Sequence, residues 1–488
     1  MPLRAKILPS AGLAPARSFA ASTTDIRELP TDQRDDVLFT THHGLRTITL
    51  NRPKKLNSLN GSMARKIVPR LREWAKSDLA NVVVMKGEGR AFCAGGDVAA
   101  LALQNKKGKD GQQQSKDYFA LEYKLDHLIA TYTKPYVAFI DGITMGGGVG
   151  LSLHAPFRIA TENTVMAMPE TTIGFFPDVG ASFFLPRMDG SVGTYLALTS
   201  EQLKGVDVFW AGVATHYLHS SSLPDLEARL AELRFADYAS LPDRLKVVDS
   251  TIEEFCTGVP HDRHPRDSIV GGNTRAAIDY VFQPANTTQQ ILDSLQGLAE
   301  GGNAPQDVQD WAVKTRKTIM SRSPTSVHVT VRQLKEGAGW DIAQTFRMEN
   351  RIAGRFMEHP DFVEGVSALL INKPKTTPQW SPANLEDVDD ETVDAFFARS
   401  DGEEDLEFLP SASRDAAYTA YPHAWAGLPR EADVEVAVTR RRDATEAGVV
   451  GDFVERQGGK MGVKEKVEEI LERKAEVVGG EGRLRWRK

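Results

Sequence analysis

The sequence predicts an α/β domain on parallel strands, followed by a helical region. Short continuous apolar runs, "NVVVMKG" (81–87) and "YVAFIDG" (136–142), have the look of strands covered on both faces. Each runs into a glycine-rich turn that opens a helix, "EGRAFCAGGD" after the first and "MGGGVGLS" after the second. The unit recurs at an interval of roughly 50 residues without a literal repeat, the alternation of a parallel sheet. In such sheets ligands bind at the carboxyl ends of the strands.

The elements follow in chain order. Residues 1–24 carry Arg4, Lys6 and Arg17 with no acidic residue and are rich in Ala and Ser, which suits a mitochondrial presequence. "RSF" before "AAS" resembles a matrix-protease site, and a disordered tail would share the composition. From residue 37 strand, turn and helix alternate. "LRTITLN" (45–51) alternates in polarity and stops at Arg52–Pro53. "SLNGSMARKIVPRLREWAKS" reads as a helix, with Pro69 counting against it. Residues 105–116, "NKKGKDGQQQSK", predict a structureless insertion, and 157–170 has strand-like pieces. This places a core domain at 37–223 and a mostly helical part at 224–408, acidic towards its end. Residues 409–488 form a charged extension. It holds an amphipathic helix with Val463, Val467, Ile470 and Leu471 on one stripe, then a basic-aromatic end, "GRLRWRK".

Composition narrows the function classes. A net charge of −7 argues against non-specific nucleic-acid binding by the whole molecule. Cys93 and Cys256 are the only cysteines, which excludes a disulfide framework or a cysteine-rich metal site and suits a reducing compartment. No apolar run approaches the ~18 residues of a membrane span.

The two glycine turns are the first chemical signal. Backbone N–H groups at a helix N-terminus are unpaired and lie at the positive end of its dipole. Two such turns side by side could aim two N–H groups at one oxygen, an oxyanion hole. No G-x-G-x-x-G or G-K-[ST] pattern falls here, so neither a dinucleotide nor a nucleoside-triphosphate loop is indicated. Glu122 is spaced with Tyr118, Phe119, Leu125 and Ile129 on one helical stripe, a costly place for a carboxylate unless it is paired or faces a cleft. A helix-edge glutamate reaching water fits the spacing equally well. Glu170 and Asp178 lie in "AMPETTIGFFPDVG", an apolar loop where a carboxylate is either functional or solvated.

The motifs "NRPKKLNSLN", "GRAFCAGGD", "KPYVAFIDGITMGGGVGLS" and "MAMPETTIGFFPDVGASFFLPR", in this order, resemble the crotonase (enoyl-CoA hydratase/isomerase) superfamily. More closely they are similar to its 3-hydroxyisobutyryl-CoA hydrolase branch, over roughly residues 37–408. The resemblance implies a spiral of ββα turns with a helical C-terminal region. It places the oxyanion hole at Gly96 and Gly147. Of the two catalytic glutamates of the hydratases, one falls on Gly150 and is missing, and the other falls on Glu170. The hydrolase branch keeps Glu170, adds Asp178, and uses Glu122 at the substrate. Lys54 and Lys55 stand where the superfamily meets the phosphates of coenzyme A, though a solvated pair accounts for them equally well.

The resulting expectation is a hydrolase of a short branched 3-hydroxyacyl-CoA in valine breakdown, in the mitochondrial matrix. Coenzyme A is part of the substrate, and no metal, other cofactor or membrane is implied; a homo-oligomer is compatible with the sequence. Fungal members of the family also occur in the mitochondrial small ribosomal subunit. The extension 409–488 is the expected docking element for that role, with arginines for phosphates and Trp486 for stacking.

Overall fold

Two sheets grow side by side because the chain deals its strands alternately between them. The strands are β1 (Val37–His42), β2 (Leu45–Leu50), β3 (Val82–Gly87), β4 (Ala91–Cys93), β5 (Tyr136–Phe139), β6 (Ile143–Met145), β7 (Phe157–Ala160), β8 (Val165–Ala167), β9 (Leu203–Lys204) and β10 (His216–Tyr217). The large sheet has the order β1-β2-β3-β5-β7-β10 and the small one β4-β6-β8-β9. Pairing is parallel apart from β1 with β2 and β8 with β9. Each turn of the chain thus gives one strand to each sheet and then a helix, which is the ββα spiral the resemblance implies. Gly142, at φ +94°, makes the step from β5 to β6, where a Cβ would lie 2.4 Å from the Arg90 carbonyl oxygen. This computed structural model describes residues 26–487 other than 237, 261, 401, 411–415, 442, 480 and 481. The presequence expectation for 1–24 and the final basic residue, Lys488, lie outside the described residues.

The continuous apolar strands are explained by cover on both faces. On one face Ile48, Val83 and Met85 meet helix α1 (Gly61–Lys76) in the main core. On the other, Val82, Val84, Val137 and Phe157 pack under Leu226, Leu230, Val248 and Ile252 of the helices Leu223–Ala231 and Leu241–Glu253. Pro69 does not break α1. A proline inside a helix costs about 3 kcal/mol. Burying Met63, Ile67, Leu71 and Trp74 contributes about 1.5–3 kcal/mol each and outweighs that cost.

One expectation needs correction. Residues 105–116 are no loose insertion: they end α2 (Val98–Asn105) and begin α3 (Lys109–Ala130). Gly111 packs where a Cβ would lie 1.9 Å from the Gln104 carbonyl oxygen, and buried Asn105 donates to the Met357 carbonyl oxygen at 3.1 Å. The polar residues are the solvated side of a helix, which composition alone does not separate from a loop.

In 409–488 the amphipathic helix is present, and the body is what its stripe packs against. The stripe Val463, Val467, Ile470 and Leu471, on the helix Val463–Lys474, is buried in the same core as the sheets. Val434, Val438, Val449 and Phe453 join it. Lys466 Nζ donates to the Trp210 carbonyl oxygen (3.1 Å), and Lys460 Nζ lies 2.8 Å from His216 Nε2 on β10. The extension is therefore an integral part of the body, and its helix has no free apolar face to offer a partner. Its end forms a hairpin of β11 (Ala475–Val478) and β12 (Arg483–Trp486), on which Trp486 packs against the core and Arg485 is exposed.

Candidate active site

The small sheet sets two glycine turns next to each other, because β4 and β6 are neighbours and each ends in one. After β4, Leu59 N–H donates to the Gly95 carbonyl oxygen and Asp97 N–H donates to the Leu59 carbonyl oxygen, both at 2.8 Å. With both neighbours turned to Leu59, the Gly96 N–H faces the other way. After β6, Gly147 is the first residue of helix α4 (Gly147–Leu153), so its N–H has no acceptor within the helix. A Cβ on Gly147 would lie 3.4 Å from Gly96 N, so the two turns converge on one point.

The carboxylates close in on the same point. That Cβ on Gly147 would meet Glu122 Oε1 at 2.4 Å, and one on Gly146 (φ +44°) would meet Glu170 Oε1 at 2.8 Å. Glu122 comes from α3 and is buried. Glu170 opens a single 3-10 turn, Glu170–Ile173, just after β8. Asp178 joins through Tyr123, whose hydroxyl donates to Asp178 Oδ2 at 2.7 Å. The structure thus brings Gly96, Gly147, Glu122, Glu170 and Asp178 together. Lys54 and Lys55 stay outside the cluster, exposed on the turn Pro53–Lys55. That turn runs beside the first glycine turn, where Ala94 N–H donates to the Leu56 carbonyl oxygen at 3.0 Å.

The loop carrying Asp178 is strained and over-determined. Val179 adopts φ +56°, which is unfavourable for a β-branched residue. Glu349, from the helix Ile342–Phe356, accepts from Gly180 N–H (2.6 Å), Ser182 N–H (2.9 Å) and the Ser182 hydroxyl (2.7 Å). Gln333 donates to the Pro177 carbonyl oxygen at 2.5 Å. His154, held neutral by burial with its pKa near 4, donates from Nε2 to the Val179 carbonyl oxygen at 2.9 Å. These bonds fix the Asp178 carboxylate against α3.

Five acidic side chains are buried here: Glu122, Asp126, Glu170, Asp178 and Glu349. Burial, then the Asp178 charge, pushes Glu122 and Glu170 well above the usual carboxylate range. Burial, then the Glu122 charge, does the same to Asp126. Asp178 is raised by burial to about 7, against the opposing hydrogen bond from Tyr123, and burial raises Glu349 to about 8. Glu122 Oε1, Glu170 Oε2 and both Asp126 oxygens have no hydrogen-bond partner among the described residues. At neutral pH such a group holds protons and ionised carboxylates together, the condition for moving a proton in either direction. Cys93, under the first turn, is pushed by burial to about 12 and is no nucleophile. Among the described residues no group of three or more His, Cys, Asp or Glu is placed to hold a metal ion.

Gly150 has a steric reason. A Cβ there would lie 2.7 Å from Asp126 Oδ2 and 2.7 Å from Val179 Cβ, so no side chain fits. Asp126, Tyr123, Gln333 and Glu349 are the participants that sequence reasoning missed. Asp126 follows Glu122 by four residues on the same stripe, and Glu349 sits between Phe346 and Ile352 on an apolar stripe of its own. In both cases the signal that singled out Glu122 was present.

The family model described as enoyl-CoA hydratase/isomerase matches residues 45–397. The small ribosomal subunit protein mS47 of Neurospora crassa is 52% identical over 492 aligned residues, spanning 100% of this chain and 94% of that protein. The mitochondrial 3-hydroxyisobutyryl-CoA hydrolase of Gallus gallus is 44% identical over 368 residues, 75% of this chain and 90% of that protein. Among solved structures, a carnitinyl-CoA dehydratase from Mycobacterium thermoresistibile superposes with a TM-score of 0.65 at 32% identity, covering 77% of this chain and 99% of its own.

Proposed function

We propose, for a chain that belongs to the enoyl-CoA hydratase/isomerase family, that it hydrolyses the thioester of 3-hydroxyisobutyryl-CoA to coenzyme A and 3-hydroxyisobutyrate. The setting would be valine breakdown in the mitochondrial matrix. One observation carries the choice of reaction. Gly150 leaves no room for a second glutamate, so hydration by two carboxylates lacks one of its groups. Thioester hydrolysis needs one carboxylate, a polarised carbonyl and a proton for the leaving thiolate.

In this mechanism the thioester carbonyl oxygen accepts from Gly96 and Gly147 N–H. Glu170 either takes a proton from the attacking water or attacks the carbonyl carbon itself. In the second case water then cleaves the mixed anhydride. Breaking the C–S bond releases thiolate, which takes a proton from the carboxyl cluster. Asp178 would hold the 3-hydroxyl, Glu122 would line the acyl pocket, and Lys54 and Lys55 would meet the coenzyme A phosphates. The test is turnover of 3-hydroxyisobutyryl-CoA against isobutyryl-CoA, with crotonyl-CoA hydration as a control. The 3-hydroxy substrate should be preferred by about 10²-fold or more, since a site built for a hydroxyl penalises its absence. Equal rates, or measurable hydration, contradict the assignment.

A second, compatible reading is a place in the mitochondrial small ribosomal subunit. The observation favouring it is extent: the mS47 relative matches the whole chain, including 409–488, whereas the hydrolase relative matches 75% of it. The amphipathic helix is already used inside the body, so docking would fall to exposed residues such as Arg485 and Arg487 on the terminal hairpin. Salt-sensitive co-sedimentation of the full chain with small subunits, weakened by Arg485→Glu with Arg487→Glu, is the expected result. Undiminished sedimentation of that variant removes the hairpin from the interface.

A further inference from the structure

We propose that a second site, a partly open cavity at the junction of the body and the extension, binds a small carboxylate with an apolar body. The cavity has a volume of about 120 Å³. It lies beyond the C-terminal end of α4, lined by Leu153 and His154, whereas Gly147 starts that helix. Seven residues of helix span about 10 Å, and none of Gly96, Glu122, Glu170 or Asp178 lines the cavity. One water occupies about 10–15 Å³ on this measure, so there is room for a molecule of roughly ten heavy atoms.

Charge is what asks for an anion. Arg158, Arg187, Arg430 and Lys466 face the cavity against a single acid, Asp189, which pairs with Lys466 at 3.3 Å. Arg158 is only 5% exposed, yet its bonds go to neutral acceptors: the Val213 carbonyl oxygen (2.5 Å), the Ala155 carbonyl oxygen (2.7 Å) and the Tyr421 hydroxyl (2.8 Å). Arg187, partly buried, spends its N–H groups on the carbonyl oxygens of Phe183, Gly337, Ala338, Trp340 and Thr419, so it would contribute charge to an anion and not a hydrogen bond. Among the described residues no carboxylate pairs with Arg158, Arg187 or Arg430. A buried guanidinium without a counter-charge is costly, and an anion in the cavity would supply one.

Shape and lining set the rest of the ligand. Trp210, Phe183, Phe184 and Leu428 give apolar walls, which favour a hydrocarbon body over a bare oxyanion. Tyr421, Arg430 and Lys466 belong to the extension and Arg158 and Trp210 to the body, so the ligand would tie the two together. This site does not depend on the hydrolase reading.

The experiment is calorimetric titration of the full chain with 3-phenylpropionate, 3-phenylpropanol and inorganic phosphate. The acid should bind at sub-millimolar concentration, and about tenfold or more tighter than either the alcohol or phosphate. Ala424→Phe, which fills the cavity from the extension side, should abolish binding while thioester turnover stays unchanged. Arg430→Gln should weaken binding by about tenfold. Equal binding of acid and alcohol, phosphate binding as tightly as the acid, absence of binding at millimolar acid, or undiminished binding to Ala424→Phe each overturns the proposal.

Discussion

The candidate active site has two halves built on different principles. One is backbone: Gly96 and Gly147 present N–H groups whose direction is fixed by the Leu59 pairing and by the start of α4. The other is side chain: Glu122, Glu170 and Asp178 are carried by α3, a 3-10 turn and a strained loop, each buried. The backbone half needs the absence of atoms, since a Cβ on Gly147 would strike Glu122. The carboxylate half needs support from distant chain, through Tyr123, Gln333 and Glu349. A site of this kind fails in two ways, by gaining an atom in the first half or by losing a neighbour or a charge in the second.

Apart from loss of the Glu170 charge, the largest effect is expected in the backbone half. Gly147→Ala keeps the N–H but sets a Cβ 2.4 Å from Glu122 Oε1, between the two turns, so the carbonyl loses its place and kcat should fall by about 10²–10³-fold, the scale of disabling one oxyanion contact. Thermal unfolding should show the protein still folded, since the strain falls on one side chain. A variant within about tenfold of wild type would mean that the carbonyl oxygen binds elsewhere.

The carboxylate half should respond to pH. The Asp178 charge is the second cause, after burial, of the raised proton affinity of Glu170. Asp178→Asn removes that charge, so Glu170 ionises more easily and the acid limb of kcat/KM moves to lower pH. The same variant should lose most of the preference for the 3-hydroxy substrate. An acid limb that stays in place would uncouple the two carboxylates.

The smallest effect is one of stability. Asp126 holds its proton in the folded state well above its usual value, through burial and then the Glu122 charge. Below about pH 4 both folded and unfolded chains are protonated there. As pH rises, the unfolded chain releases the proton first, so stability falls until the folded value is passed. Asp126→Asn carries no such loss. It should melt about one degree higher than wild type near pH 8, with no gain near pH 4. A gain equal at both pH values would point to packing instead of ionisation.

The two halves also differ in how far the sequence reveals them. Apolar strand, glycines and helix start are local signals, so the two turns could be read together with the parallel strands, and the family resemblance then singled out Gly96 and Gly147 within them. Glu122, Glu170 and Asp178 were separable from solvated carboxylates only by the family resemblance, because what makes them special is burial by distant chain. Glu349 reaches the Asp178 loop from 167 residues away along the chain, measured from Ser182, and no local pattern states that contact. Residues 409–488 show a related limit. Their stripe was legible as amphipathic, but its partners, Trp210 among them, lie more than 200 residues earlier, as the 256-residue separation of Lys466 from Trp210 shows. Residues 105–116 show the converse limit, where polar composition hid the start of a long helix.

The central claim is that Glu170 performs the hydrolysis beside the two glycine N–H groups. Steady-state turnover of 3-hydroxyisobutyryl-CoA by Glu170→Gln, with coenzyme A affinity measured in parallel, tests it most directly. The amide keeps the shape and removes the charge, so turnover should fall by about 10³-fold or more while coenzyme A binding holds. Turnover within about tenfold of wild type, with binding intact, would contradict the account.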